Sequence, residues 1–405
     1  MSPKHVKRQM GRLEFVCLVA MMFATIAFSV DAMLPALPVI AAELSPELAY
    51  QAPLILTFFV LGMGAGTLIA GPLSDAYGRR VIVLGGSALY ILAAGLAWMS
   101  RSLEVMLVAR VLQGLGAAGP RVVSVAIIRD LFKGREMAQI VSVVMMIFTL
   151  VPALAPAMGS VIIAHGGWRH IFIAFILFSL LTVAWVFLRL PETLAPRDRR
   201  PLRLPLLAAA AGDVCRHPTV RLAILAQTLA MAMMFSTLTM VQPIYAQVFD
   251  RSESFPYWFG MIAVIAGSAS LVNAVLVVRF GMQRMVLAAF ALQILLSAGL
   301  LLGGLDRLPE PYGFGAFLVW QAYLFFQAGL TLGNLNAIAM EPMGHVAGMA
   351  ASIVGASATV LASLIASGVG LLFDGTTRPL MISVLVMAVL AAGLVLSMHR
   401  PRPIA

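Results

Sequence analysis

The sequence predicts an all-α polytopic membrane protein of twelve transmembrane helices, arranged as two pseudo-symmetric six-helix bundles. Three features predict it: apolar length, the placement of charge and an internal repeat. Apolar runs of about 20 residues, the length of a bilayer-spanning helix, recur from end to end. Of the 405 residues 61% are hydrophobic and 11% charged, and mean hydropathy is +0.98. Backbone polar groups in lipid must be paired internally, and the period-two alternation of a closed barrel is absent, so helices remain. The positive charges fall mostly on one side of the predicted spans. Finally, the stretch GPLSDAYGRR at 71–80 has a worn copy, RFGMQR at 279–284, in which Gly281 stands 203 residues after Gly78, about half the chain.

The net charge of +10 raises a nucleic-acid reading, so the location of the charges matters. Twenty of the 27 Lys and Arg sit in alternate loops, the span ends beside them and both terminal segments, including Lys4, Lys7, Arg8, Arg200 and Arg203. Five lie opposite (Arg101, Arg169, Arg251, Arg307 and Arg378), and Arg110 and Arg121 lie within spans. The acids outside the spans divide evenly. This is the positive-inside pattern, which counts Lys and Arg alone; it places both termini in the cytoplasm and excludes nucleic acid as a partner. The cysteines, Cys17 and Cys215, show neither disulfide nor metal spacing.

The predicted spans cover 15–40, 50–71, 81–99, 104–128, 138–163, 168–189, 219–246, 255–278, 284–303, 312–336, 347–372 and 378–398. The first run is too long for the apolar region of a signal peptide, so it reads as an uncleaved helix. The stretch 190–218, with four prolines and clustered arginines, cannot span. It reads as a cytoplasmic linker, in part a surface helix, between an N-terminal bundle at 1–189 and a C-terminal bundle at 219–405.

In the first span Asp31 precedes Pro35 and Pro38. It lies about 16 residues, roughly 24 Å, from the cytoplasmic end. A carboxylate at that depth is costly and tends to face a cavity or a partner. The second span is rich in glycine (Gly62, Gly64, Gly66 and Gly71), which reads as close helix packing. The segment 71–80, with Gly71, Asp75, Gly78, Arg79 and Arg80, reads as a tight charged turn to the third span. In the fourth span Arg110 lies about six residues, roughly 9 Å, from the outer end, near the depth of Asp31. Arg121 follows about three turns later on the same face, where it either enters a cavity or snorkels to the inner surface. Gln113 is one turn from Arg110. Pro152 and Pro156 must bend the fifth span, and Gly159 permits close packing beyond them. The seventh span carries several methionines, Met234 among them, and Gln242 before Pro243. Aligning Pro243 with Pro35 puts Thr239 where Asp31 stands, so ion chemistry is expected in the first half. Val278 in the worn repeat stands where Asp75 stands.

At these residues the chain resembles a known family. GPLSDAYGRR is similar to the signature between helices 2 and 3 of the major facilitator superfamily. LVARVLQGLGAA resembles its helix 4 motif, and PALAPAMGS its helix 5 antiporter motif, with Ser160 where a second glycine is usual. SVDAMLPALPVI at 29–40, GWRHIFIAFILF and LPETL within 167–194, and EPMGHVAGMAAS at 341–352 narrow the likeness to bacterial drug-resistance transporters of the Bcr/CflA type. The resemblance implies export of small hydrophobic compounds in exchange for protons by a monomer in the inner membrane, with the proton gradient as energy source and no cofactor or metal. It implies that Asp31 and Arg110 couple protons. With Gln113, Met234 and Gln242 they would line a substrate cavity between the bundles. Gly71, Asp75, Gly78, Arg79 and Arg80 would form a cytoplasmic latch, complete only in the first half. Pro152, Pro156 and Gly159 would form the antiporter motif. A proton-coupled carrier of a metabolite or anionic nutrient on the same fold is the competing reading, and two cavity arginines would suit it. An enzyme is not expected: no catalytic triad spacing, zinc motif or phosphate loop occurs.

Overall fold

The structure is a computed structural model and describes residues 10–199, 202, 204–305 and 308–398. Lys4, Lys7, Arg8, Arg200, Arg203 and Arg307 lie outside the described residues. Every regular element among the described residues is helical. Among the described residues eleven helices are long and apolar enough to cross a membrane, and Val151–Gly166 is a shorter apolar stretch within a further long helix. Outward-facing aliphatics such as Leu302, 89% exposed, suit a lipid surface and not water.

Two compact units form: Met1–Arg203 with Glu253–Met261, and Leu204–Ser252 with Ile262–Ala405. The division falls inside the stretch read as a linker.

In the first unit, α1 (Arg12–Asp31) ends at the predicted acid, and α2 (Leu37–Leu44) resumes after a single 3-10 turn. The span expected over 15–40 is present as Arg12–Leu44, but its helix is interrupted. Pro35 and Pro38 each sit at the start of a new turn, where a missing N–H costs nothing. The other helices are α3 (Leu54–Tyr77), α4 (Arg79–Trp98), α5 (Leu103–Leu131), α6 (Gly134–Gly166) and α7 (Arg169–Arg189). Helix α6 runs through both Pro152 and Pro156 as one helix.

Helix α5 packs closely on α3 and α4, and glycine permits it. A Cβ on Gly62 would lie 2.0 Å from the Val111 carbonyl oxygen, and one on Gly114 would lie 2.0 Å from that of Phe59. A Cβ on Gly116 would lie 2.5 Å from the Tyr90 nitrogen. Helix α1 packs on α6, α5 and α7. Phe15, Leu18, Val19 and Met22 of α1 share one apolar cluster with Val123 and Ile127 of α5 and Val144 of α6.

The second unit holds α8 (Leu204–Arg216), α9 (Pro218–Gln247), most of α10 (Phe255–Phe280), α11 (Met282–Gly303), α12 (Tyr312–Met340), α13 (Ala347–Gly370) and α14 (Arg378–Leu396). Helix α9 packs on α12, α13 and α14. Several buried polar groups of this unit pair with uncharged partners. Tyr245 donates to Gln321 Oε1 at 3.0 Å, Trp320 Nε1 to Ser297 at 2.9 Å, and Asn334 to Asn273 at 2.7 Å.

Segment 71–80 is not a ten-residue turn. Helix α3 continues to Tyr77 and α4 starts at Arg79, so Gly78 alone turns the chain, at φ +110°. The charged run reads as loop because its residues are polar. They are helical because the helix carries on out of its apolar length, and Asp75 at its end pairs with Arg79 across the Gly78 turn. Gly281 makes the same one-residue turn between α10 and α11, at φ +81°.

Candidate substrate and proton site

Asp31 is the last residue of α1 and is 5% exposed. Ala32 and Met33 form the turn that follows, and the backbone there is met by α6: a Cβ on Gly159 would lie 2.2 Å from the Ala32 carbonyl oxygen. Gly159 thus lets α6 seat against the break. Among the described residues, nothing donates a hydrogen bond to the Asp31 carboxyl and no cation pairs with it.

Arg110 of α5 lies two residues from this acid in register, and is wholly buried. Nη2 donates to the Ser29 carbonyl at 2.9 Å, Nε to the Ile55 carbonyl at 3.2 Å, and Nη1 to Gln113 Oε1 at 2.7 Å. The guanidinium also stacks over the Phe59 ring, 4.4 Å from its centroid. Ser29 Oγ and the Tyr90 hydroxyl share a hydrogen bond of 2.6 Å. Arg110 therefore ties α1, α3 and α5 together at the Asp31 layer through neutral acceptors. It makes no ion pair with Asp31. Gln113 is also wholly buried, so neither residue presents surface here.

Arg121 is half-buried and, among the described residues, donates only to the Met63 sulfur, at 3.5 Å. In the second unit, Met234 is half-buried and Gln242 is buried, both on α9. Thr239, the counterpart of Asp31, donates to the Ser236 carbonyl at 2.8 Å.

The 71–80 residues gather at the other end of the first unit. Arg79 pairs with Asp75, donates to Ser74 Oγ at 2.6 Å, and pairs with Asp130 at the end of α5 at 3.1 Å. Arg80 Nη2 donates to the Phe187 carbonyl at 2.5 Å and stacks on its ring. Glu192 caps α4: its carboxylate accepts from the Arg79 N–H at 2.9 Å, the Arg80 N–H at 3.1 Å and the Leu194 N–H at 3.0 Å. A Cβ on Gly78 would lie 2.5 Å from Glu192 Oε2. Thr193 donates to Asp130 at 3.1 Å. Gly71 accepts at its carbonyl from Ser74 Oγ at 2.8 Å. Sequence reasoning missed Asp130 and Glu192 as members of this cluster. The signal for Glu192 was the acid within LPETL, a short polar run directly after a span. Asp130 carried no signal beyond its place at a helix end.

Residues 17–367 match the family model described as Major Facilitator Superfamily. The chain belongs to the Major Facilitator Superfamily. Among curated relatives of this transporter family, it is 30% identical to a bicyclomycin resistance protein homolog of Haemophilus influenzae, over 89% of this chain and 91% of that protein. It is 27% identical to the multidrug resistance protein MdtL of Shewanella oneidensis, over 92% of each. The Bcr/CflA-type likeness read from the motifs is thereby borne out. Among solved structures, the D-xylose–proton symporter superposes with a TM-score of 0.69 at 16% identity, over 95% of this chain and 97% of that one. That likeness is one of fold, and it agrees with the twelve-helix architecture of the superfamily.

Proposed function

We propose that this major facilitator chain exports small amphipathic compounds, antimicrobials among them, in exchange for protons by alternating access. One observation carries the proton assignment: Asp31 is a carboxyl buried at a helix break, within a membrane span, with no fixed ionic partner. A carboxyl so placed can take up and release a proton as access to it alternates, because no salt bridge has to be broken first. Two global states with different proton affinities suffice for coupling. The named functions of the curated relatives support the substrate class.

In this reading Arg110 and Gln113 fix the layer beside Asp31, and Met234 and Gln242 contribute adaptable apolar and polar surface to the substrate path. Asp75, Arg79 and Arg80, held by Glu192 and Asp130, act as the latch on the cytoplasmic side. Pro152, Pro156 and Gly159 seat α6 against the break. The protein works as a monomer in a bacterial inner membrane, with both termini cytoplasmic. It performs transport and not catalysis, and it draws on the proton gradient in place of a bound cofactor.

The test is expression in a hypersensitive bacterial host lacking its own efflux pumps. The chain is expected to raise resistance to at least one hydrophobic antibiotic, and Asp31→Asn to return the host to the sensitivity of the empty vector. Resistance unchanged by Asp31→Asn would overturn the assignment.

A further inference from the structure

Among the described residues, Arg121 is a cation within the spans of the first unit that no acid answers. Its one partner among the described residues is a thioether, the Met63 sulfur at 3.5 Å, and a thioether is a weak acceptor. Each nitrogen of Arg110, by contrast, has an oxygen acceptor.

The direction of the side chain is informative. Met63 packs beside Gly114: a Cβ on Gly114 would lie 2.7 Å from the Met63 nitrogen. Gly114 is seven residues before Arg121, about 10 Å along the axis. The Arg121 side chain therefore runs back along α5 toward Leu103, as helical side chains tilt. It does not reach for Arg129 and Asp130 at the polar end of the helix. Of the two readings open from the sequence, snorkelling to the nearer surface does not occur.

A guanidinium held in the apolar length of a helix without an anion or water is expensive. The acids of this unit do not supply the anion. Asp130 is occupied by Arg79 and Thr193. Among the described residues Asp31 has no cation within ion-pair distance, Arg121 included. Arg121 also keeps part of its surface exposed. We propose that Arg121 is the recognition point for a carboxylate carried by the transported compound, whose apolar body packs on adaptable side chains such as Met63. The planar fork suits a carboxylate, which takes two parallel hydrogen bonds. The proposal rests on the transport reading above and narrows it to amphipathic monoanions.

The test uses purified full-length protein in detergent and three compounds of one shape: naphthalene-2-carboxylate, naphthalene-2-carboxamide and 2-naphthylmethylammonium. Calorimetric titration is expected to show the carboxylate binding at least about tenfold tighter than the other two, as charge-assisted hydrogen bonds require. Arg121→Gln is expected to erase the preference, and Arg121→Lys to keep part of it. A second readout retains Arg121 in case the glutamine variant does not fold. With methionine methyls labelled by 13C, the carboxylate is expected to shift the Met63 methyl resonance, assigned by its loss in Met63→Leu, and the carboxamide is not. Equal binding of the three compounds, binding of none, a preference surviving Arg121→Gln, or a Met63 resonance indifferent to the carboxylate would each overturn the site. Carboxylate binding without any transport would sink the transport reading and leave the site standing.

Discussion

Arg110 uses all three guanidinium nitrogens on acceptors from three helices, α1, α3 and its own α5. A lysine keeps the charge but has one nitrogen, and cannot hold two backbone carbonyls and an amide in these directions. Arg110→Lys is therefore expected to lower thermal stability and to lose transport, with each forfeited charged hydrogen bond costing about 1.5–3 kcal/mol. A melting curve and a transport assay check this; wild-type values in both would contradict the geometry. Asp31 differs in kind, because nothing holds its carboxyl. Asp31→Asn should fold as well as wild type while losing proton coupling. The sequence already pointed to both residues, since a charge inside an apolar run is visible without a structure. What they touch was not visible. That the two act together came from the family resemblance alone. The chain instead supplies neutral carbonyls to Arg110, from Ser29 and Ile55, and backbone acceptors leave no mark in a sequence.

Among the helices, the contact of α5 with α3 and α4 is set by small residues. Gly62→Ala and Gly114→Ala must push backbone apart, and overpacking of this kind costs about 1–3 kcal/mol. Gly85→Ala is the control, because nothing lies within 4 Å of a Cβ there, and alanine favours the helix by about 0.5–1 kcal/mol. Thermal denaturation should therefore order the variants as Gly85→Ala above wild type and the other two below it. Glu192→Ala should uncap α4 at a cost of about 1 kcal/mol, measured the same way. The spans were legible to within a few residues because apolar length sets them. Their exceptions have local causes. The first span breaks after Asp31 because two prolines follow. The second runs on to Tyr77 because polar residues are as helical as apolar ones when the turn is left to one glycine. The capping of α4 by Glu192 joins residues more than 110 positions apart, and no local pattern encodes that.

Across the whole chain, the repeat inferred from Gly78 and Gly281 holds as a shared one-residue turn at positive φ in both halves. The chemistry is not shared. The first unit carries Asp31, Arg110 and Arg121 within its spans, while the second buries amides, hydroxyls and aromatic rings, some of them bonded to one another. Thr239 bonds to its own helix where the first half has its acid, and the exposed Val278 replaces Asp75. The two halves share this turn and differ in their polar residues, and the proposed mechanism puts ion chemistry in the first. Thr239→Val is accordingly expected to leave proton coupling intact. The central claim is that substrate export is coupled to protons through Asp31. Proteoliposomes with an imposed inside-acid gradient and an internal pH dye test it most directly. Addition of a transported compound should draw protons out of the lumen in the wild type and in Thr239→Val, and not in Asp31→Asn. Substrate flux without proton movement, or proton movement that survives Asp31→Asn, would contradict the account.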